Sequence, residues 1–229
     1  MDIIIANLPR FFGATLVTLQ ITAIAVFIGF CIAIPLSVIR IAGPKFLSWP
    51  VYLFTFYFRG TPLLVQIFLI YYGSGQFMEQ LHALGLWGLF QSPWFCAVLA
   101  LTLNTAAYST EIFRGGIQGV PAGEIEAARA CGMSGALLYR RVVIPRALRI
   151  AWPSYTNEVI FLLQASSLVS IITVMDITGV AGEIATRSFA FYEVYLFAAA
   201  IYILIVYGVL WVFRRIEKRI NAFLHVGSA

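Results

Sequence analysis

The chain has 229 residues, of which 61% are hydrophobic and only 11% are charged. A soluble globular domain is usually about 45–50% apolar and about 25% charged, so the composition excludes an ordinary soluble domain. The mean hydropathy of +0.91 and the formal net charge of +5 indicate instead a basic integral membrane protein.

Five apolar stretches are each long enough to cross a bilayer of about 30 Å as a helix. We predict spans at residues 13–38, 51–72, 94–112, 153–175 and 194–213. Each stretch reads as apolar around its whole circumference, which is typical of a lipid-embedded helix. The short connections leave no room for a soluble catalytic domain, so residues 1–229 are predicted to form one all-α transmembrane domain.

The lysine and arginine residues are unevenly distributed between the connections. Cytoplasmic loops carry the excess of these residues, and twelve of the fifteen follow spans one, three and five. They are Arg40, Lys45, Arg114, Arg129, Arg140, Arg141, Arg146, Arg149, Arg214, Arg215, Lys218 and Arg219. The N-terminus is therefore predicted outside and the C-terminus in the cytoplasm. This bias accounts for the net charge, and no nucleic acid is predicted as a partner.

The inner connection, residues 113–152, carries the most specific motif of the chain. It contains Glu126-Ala127-Ala128-Arg129-Ala130-Cys131-Gly132, followed after nine residues by Val142-Val143-Ile144-Pro145. Pro121 precedes a run of good helix formers, and Glu124 lies near the predicted helix N-terminus, where the helix dipole favours an acid. The segment predicts a short amphipathic helix that ends near Gly132, a turn, and a second, basic helix.

This motif resembles the EAA loop of ABC importer permeases, in which Glu-Ala-Ala, a later glycine and an aliphatic unit ending in proline recur at this spacing. The resemblance implies a coupling helix seated in a groove of a cytoplasmic ATPase. The residues that it assigns to ATPase coupling are Glu124, Glu126, Ala127, Ala128, Gly132 and Pro145. The alternative is an interfacial helix whose arginines meet anionic lipid. That alternative explains the arginines but not the spacing of the motif.

Three further segments narrow the resemblance. Phe58 to Gln66 (FRGTPLLVQ), Asn104 to Arg114 (NTAAYSTEIFR) and Asn157 to Ile160 (NEVI) are similar to the polar amino acid branch of these permeases. Within that branch the chain most resembles the subunits of histidine, lysine, arginine, ornithine and opine importers. The resemblance implies a multi-pass permease in the bacterial inner membrane that takes up a basic amino acid or an opine. A permease for another polar amino acid, such as glutamine or glutamate, is the alternative.

The resemblance also implies the partners of the chain. They are a second, non-identical permease, two ATP-binding cassette subunits, an extracytoplasmic amino-acid-binding protein and the surrounding lipid. The sequence has no Gly-x-x-x-x-Gly-Lys phosphate loop, and His82 and His225 lack metal-ligand spacing. We therefore predict no catalytic residue, no metal and no cofactor on this chain, with ATP and magnesium on the partner ATPase. An autonomous channel or carrier leaves the inner motif unexplained, and a membrane enzyme lacks an acid–base pair.

Polar residues inside spans two and four mark a candidate substrate pathway. Gly60-Thr61-Pro62 interrupts span two, because proline removes a donor and disfavours helical geometry at the preceding residue. In span four, Asn157 and Gln164 are seven residues apart on one face, which predicts a polar arc. The predicted pathway residues are Arg59, Gly60, Thr61, Gln66, Asn157, Glu158, Gln164 and Ser167.

These polar residues also have structural interpretations. The break in span two could be a kink packed against another span, and Arg59 could reach lipid phosphate or pair internally. Glu158 could receive the ammonium group or the cationic side chain of a bound amino acid, or it could form an ion pair with a neighbouring span. Glu111 and Arg114 are three residues apart and are expected to form a local pair.

Overall fold

A computed structural model describes residues 2–220, and every regular element within them is a helix, as predicted. Met1 and residues 221–229, which include His225, lie outside the described part of the chain. The α-helices are α1 (Asp2–Ala42), α2 (Lys45–Gly60), α3 (Leu63–Tyr71), α4 (Met78–Ala83), α5 (Trp87–Phe90), α6 (Pro93–Gln118), α7 (Ala122–Ala130), α8 (Gly135–Leu138), α9 (Ile144–Ala165), α10 (Ile177–Ser188) and α11 (Phe191–Ile220). Two 3₁₀ segments, Gly73–Phe77 and Ser166–Ile172, and one π segment, Tyr139–Val143, complete the described elements.

Three of the described helical stretches are long and apolar enough to cross a membrane. They are Ile3–Ala42, Gly135–Ile172 and Phe191–Ile220, and the bent pair Lys45–Gly60 with Leu63–Ala83 would make a fourth crossing. The helix at the third predicted span, α6, is 26 residues long. A helix rises about 1.5 Å per residue, so α6 is long enough to span, although its composition is more polar.

The polar character of α6 has a structural explanation. Its buried residues include Asn104, Thr105, Ser109 and Thr110. The expectation that every span is apolar all round is therefore wrong for this helix. Fifteen of its 26 residues are buried, because α6 lies between α1 and α9 and is covered by protein. A helix that contacts protein on most sides does not need a wholly apolar surface.

Glycine lets the neighbouring helices approach α6 closely. A Cβ atom added at Gly29 of α1 would lie 2.5 Å from Cγ2 of Thr105. A Cβ atom added at Gly116 would lie 2.6 Å from the carbonyl oxygen of Ala147 on α9. Small residues at such contacts are typical of helix packing in membranes. These two contacts place α6 between α1 and α9.

The predicted interruption of span two is confirmed. Helix α2 ends at Gly60, Thr61 has an extended backbone (φ −117°, ψ 145°), and α3 begins at Leu63 directly after Pro62. The axes of Lys45–Gly60 and Leu63–Ala83 differ by 107°. Pro62 has no amide donor and forces the residue before it out of helical geometry, which explains the position of the break.

The inner connection contains the predicted short helix and turn. Helix α7 ends at Ala130, and Gly132 follows with a φ of 81°. The second basic helix is also present, but it is not separate from span four. The helical stretch that carries Arg140 and Arg141 runs without interruption from Gly135 to Ile172.

Candidate functional site

A cavity of about 290 Å³ opens where α2 breaks into α3. Its lining residues come from the break, from α6 and from α9, and they are Thr61, Pro62, Leu63, Asn104, Tyr108, Glu158, Phe161, Leu162 and Ala165. Glu158 is the one charged residue among them, and it is only 8% exposed. Within the described residues its carboxylate makes no ion pair, so the predicted alternative of an intramolecular ion pair is not observed.

Arg59 lies at the rim of this cavity, at the end of α2. Its guanidinium carbon is 5.5 Å from the ring centroid of Tyr108, which lines the cavity. The Tyr108 hydroxyl also donates a hydrogen bond to the Arg59 carbonyl oxygen over 3.3 Å. A cation over an aromatic face is attracted by the ring quadrupole. These contacts keep one positive charge close to the cavity that holds Glu158.

Gln66 supports the break from behind the cavity. Its side chain is buried, and its amide nitrogen lies 2.8 Å from the Phe58 carbonyl oxygen and 3.0 Å from the Thr61 carbonyl oxygen. Its carbonyl oxygen accepts a hydrogen bond from the Asn104 amide over 3.0 Å. Backbone groups freed by a broken helix must find partners inside the protein. The Gln66 amide is the partner of the Phe58 and Thr61 carbonyl oxygens. Gln66 itself is not among the residues that line the cavity.

The predicted polar arc on span four does not form one site in this chain. Asn157 and Gln164 are exposed, and Ser167 is partly buried in the 3₁₀ segment after α9. Of the stripe that contains Asn157, Phe161 and Gln164, only Phe161 lines the cavity. Glu158 lies on the neighbouring stripe and is buried. The helix period therefore separates the carboxylate from the two amides that were predicted to accompany it.

The inner connection packs one side of α7 against the rest of the chain. Ala128 is buried in a cluster with Ile117, Leu138 and Val143. The Glu124 carboxylate lies 3.1 Å from Nε of Arg146, which is on α9. These contacts hold α7 against α8, the segment Tyr139–Val143, the end of α6 and the start of α9.

The other side of α7 is exposed. Glu126 and Ala127 lie on this side, and Gly132, in the turn after α7, and Pro145, in the first turn of α9, are exposed as well. A Cβ atom added at Gly132 would meet nothing within 4 Å. The motif residues thus divide into two sets. Glu124 and Ala128 form a docked set, and the exposed residues form a surface set, which consists of Glu126, Ala127, Gly132 and Pro145.

Comparison with known proteins identifies the family. The family described as the binding-protein-dependent transport system inner membrane component matches residues 25–222. The chain belongs to this family. The resemblance to importer permeases that the inner motif indicated is thereby confirmed, and the chain is a membrane-spanning transport permease.

The relatives of this permease include transport proteins that are named for their substrates. It is 46% identical over 209 residues to the nopaline transport system permease protein NocM of Agrobacterium fabrum, covering 91% of this chain and 87% of NocM. It is 44% identical over 211 residues to the histidine/lysine/arginine/ornithine transport system permease protein HisM of Salmonella typhimurium, covering 92% and 89%. A crystal structure of an amino acid ABC transporter with histidines is 33% identical, with a TM-score of 0.83 over 94% of this chain and 96% of that one.

Some residues of the permease site were not singled out from the sequence. Tyr108 and Asn104 stand inside a segment that resembles the polar amino acid branch, but nothing local assigned either side chain a position. Phe161 carried no signal, because an aromatic residue in an apolar helix is ordinary. No group of three His, Cys, Asp or Glu side chains in residues 2–220 is placed to hold a metal ion.

An ion-pair cluster joins helices α1, α2 and α6 of the permease. The predicted local pair is confirmed, with Nε of Arg114 2.6 Å from the Glu111 carboxylate. Nε of Arg40, from α1, lies 3.4 Å from the same carboxylate. The Thr55 hydroxyl of α2 donates to it over 3.3 Å. Glu111 therefore connects α6 to both α1 and α2.

We expect Glu111→Gln to destabilise the permease by about 1–3 kcal/mol, because it leaves two partly buried guanidinium groups without their carboxylate. Thermal unfolding of the purified chain in detergent measures this change. Glu79→Gln removes the same charge from an exposed residue that makes no ion pair with residues 2–220, and should leave the unfolding temperature unchanged. Equal unfolding temperatures for Glu111→Gln and the unmodified chain would show that the cluster adds no stability.

Proposed function

We propose that this permease is the membrane subunit of an ATP-driven importer that carries a basic amino acid or an opine across the bacterial inner membrane. The observation that carries the proposal is the buried Glu158 carboxylate, which lines the cavity without an ion-pair partner in the described chain. A buried charge at membrane depth needs a counter-charge, and a cationic substrate supplies one. The substrates for which NocM and HisM are named point to the same class of molecule.

The geometry accommodates both ends of an amino acid. Helix α3 begins at the cavity, where Leu63 is a lining residue. Backbone N–H groups in the first turn of a helix have no helical acceptor and favour an anion. We infer that a substrate carboxylate binds between this helix start and Arg59. The ammonium group or cationic side chain then lies toward Glu158.

The proposed importer contains more than this chain. It has a second, non-identical permease, two ATP-binding cassette subunits that hold ATP and magnesium, and an extracytoplasmic binding protein. This permease performs no chemistry itself. Its five spans would be α1, the broken pair α2 and α3, α6, the stretch from Gly135 to Ile172, and α11. The N-terminus is proposed outside because the basic residues accumulate after α1, α6 and at the end of α11.

The surface set of the inner connection is proposed to contact an ATPase subunit. Glu126, Ala127, Gly132 and Pro145 are exposed and all belong to the inner connection, while the opposite side of α7 is packed in a cluster with residues of α6 and α9. A force applied to this surface would therefore reach the helices that line the cavity. This arrangement supports coupling of ATP hydrolysis to movement of the spans.

We expect Glu126→Lys and Gly132→Val to leave membrane insertion intact but to abolish substrate stimulation of ATP hydrolysis. The first reverses a surface charge, and the second places a β-branched residue at a φ of 81°, which costs on the order of 1–2 kcal/mol and reshapes the turn. Stimulated ATP hydrolysis of the reconstituted complex measures coupling. Glu79→Lys, far from this connection in sequence, is the control. Normal stimulation in both test variants would remove the inner connection from the coupling path.

Co-expression with the genomic neighbours tests the proposed function as a whole. A tagged chain should co-purify an ATPase and a second permease. The complex in liposomes should accumulate lysine, arginine, histidine or an opine only with ATP and the binding protein. Uptake by the chain alone would contradict the proposal and favour a channel or carrier. Preference for glutamine or glutamate would retain the importer but overturn the basic substrate.

A further inference from the structure

An apolar groove runs between α1, α9 and α11, separate from the cavity that holds Glu158. It consists of two adjoining cavities of about 400 Å³ and 320 Å³ that share Leu19, Val209 and Phe213. We call it the α1–α11 groove. Trp152 stacks on Phe213 with ring centroids 5.3 Å apart, and its Nε1 donates to the Phe213 carbonyl oxygen over 3.3 Å. This contact joins α9 to α11 beside the groove, close to the inner end of α11.

The groove is open to the surroundings of the chain. Val194 and Ala198 are the buried residues of α11, and the part of this helix that lines the groove contributes none. Gly208 forms part of the wall, and a Cβ atom added there would meet nothing within 4 Å. At the depth of the hydrocarbon such a space is filled by a lipid chain or by another helix.

Two cations lie beyond one wall of the groove, toward the cytoplasmic end of α11, and the guanidinium carbon of one of them, Arg215, is 4.2 Å from the ring centroid of Trp211, which lines neither cavity. Gly208, Val212, Arg215 and Arg219 follow one another at the spacing of residues on one helical face. Neither arginine forms an ion pair within the described residues, and neither does Glu217, which lies between them in sequence. The wall is thus apolar at membrane depth and positively charged where the proposed topology places the lipid phosphates.

We propose that the α1–α11 groove binds an anionic phospholipid of the inner leaflet, with one acyl chain in the groove and the phosphate between Arg215 and Arg219. Basic residues at the cytoplasmic end of an intramembrane groove suit such headgroups. A helix of a partner chain would need acidic residues opposite both arginines, whereas one anionic phospholipid carries both the acyl chain and the phosphate. The proposal goes beyond the proposed import function, and only the choice of leaflet relies on the proposed topology.

Native mass spectrometry of the purified complex tests the headgroup site. Phosphatidylglycerol and phosphatidylcholine with identical acyl chains are titrated in turn. The unmodified complex should retain phosphatidylglycerol in preference, and the double variant Arg215→Gln with Arg219→Gln should bind it roughly tenfold to thirtyfold more weakly. The matched control is Arg214→Gln with Lys218→Gln, which removes the same charge from an adjacent face of α11 and should bind it normally. Equal losses in the two double variants, or equal binding of both lipids, would overturn the proposal.

A second variant tests the acyl chain. Gly208→Leu should fill the groove and abolish retention of phosphatidylglycerol, while Gly13→Leu, at another glycine with open space and outside the groove, should not. Normal retention by Gly208→Leu would show that the chain lies elsewhere. Dissociation of a second permease from Gly208→Leu would identify a protein helix as the occupant. Lipid retention is measured without transport, so its failure is distinguishable from failure of the import function.

Discussion

Replacing Glu158 by glutamine is expected to lower the affinity of the internal site for a basic amino acid or an opine by roughly tenfold to a hundredfold. The substitution keeps the size of a buried side chain that lines the cavity but removes its charge. A hydrogen bond to a charged group contributes about 1.5–3 kcal/mol, which corresponds to that range of affinity. Uptake into liposomes that contain the complex measures the loss, with assembly and basal ATP hydrolysis unchanged.

Asn157→Ala provides the matched comparison, because Asn157 is the preceding residue of α9 but is exposed and outside the cavity. It should transport normally. An equal loss in both variants would favour the polar arc predicted from the sequence over the cavity. Normal uptake by Glu158→Gln would place the ligand elsewhere, and failure of the complex to assemble would show that the carboxylate holds two spans together.

Gly116→Leu is expected to prevent stable folding of the permease. A Cβ atom at this position would lie 2.6 Å from the Ala147 carbonyl oxygen and 2.9 Å from the Ala151 Cβ atom. The Ala147 carbonyl oxygen belongs to the backbone and cannot rotate away. Helices α6 and α9 must therefore separate. Overpacking of this kind commonly costs about 1–3 kcal/mol, and more where backbone is involved. The fraction of chain that elutes as a monodisperse species after solubilisation measures the effect.

Gly115→Leu is the control for this experiment. Gly115 is the adjacent residue of the same helix, and a Cβ atom there would meet nothing within 4 Å. Gly115→Leu changes the helix propensity and the apolar surface as Gly116→Leu does, but it creates no close contact with α9. Similar losses in both variants would mean that leucine itself, and not the packing of α6 on α9, disturbs the protein.

The sequence by itself determined the features that depend on neighbouring residues along the chain. It located the break of span two, because the geometry around Pro62 is set by its own ring and by the residue before it. It also located α7 and the turn at Gly132, and the pairing of Glu111 with Arg114, three residues away. The motif in the inner connection identified the family before any contact was known, because its spacing is written in the linear sequence.

Only the tertiary structure decided how distant residues share one environment. Tyr108 and Arg59 are 49 residues apart, and Asn104 and Gln66 are 38 apart, yet each pair is in contact. Their meeting depends on the 107° bend and on close packing around α6, which no local pattern specifies. The same packing exposes Asn157 and Gln164 and buries Glu158. Helical periodicity shows which residues share a stripe, but the neighbouring helices decide which stripe faces the cavity.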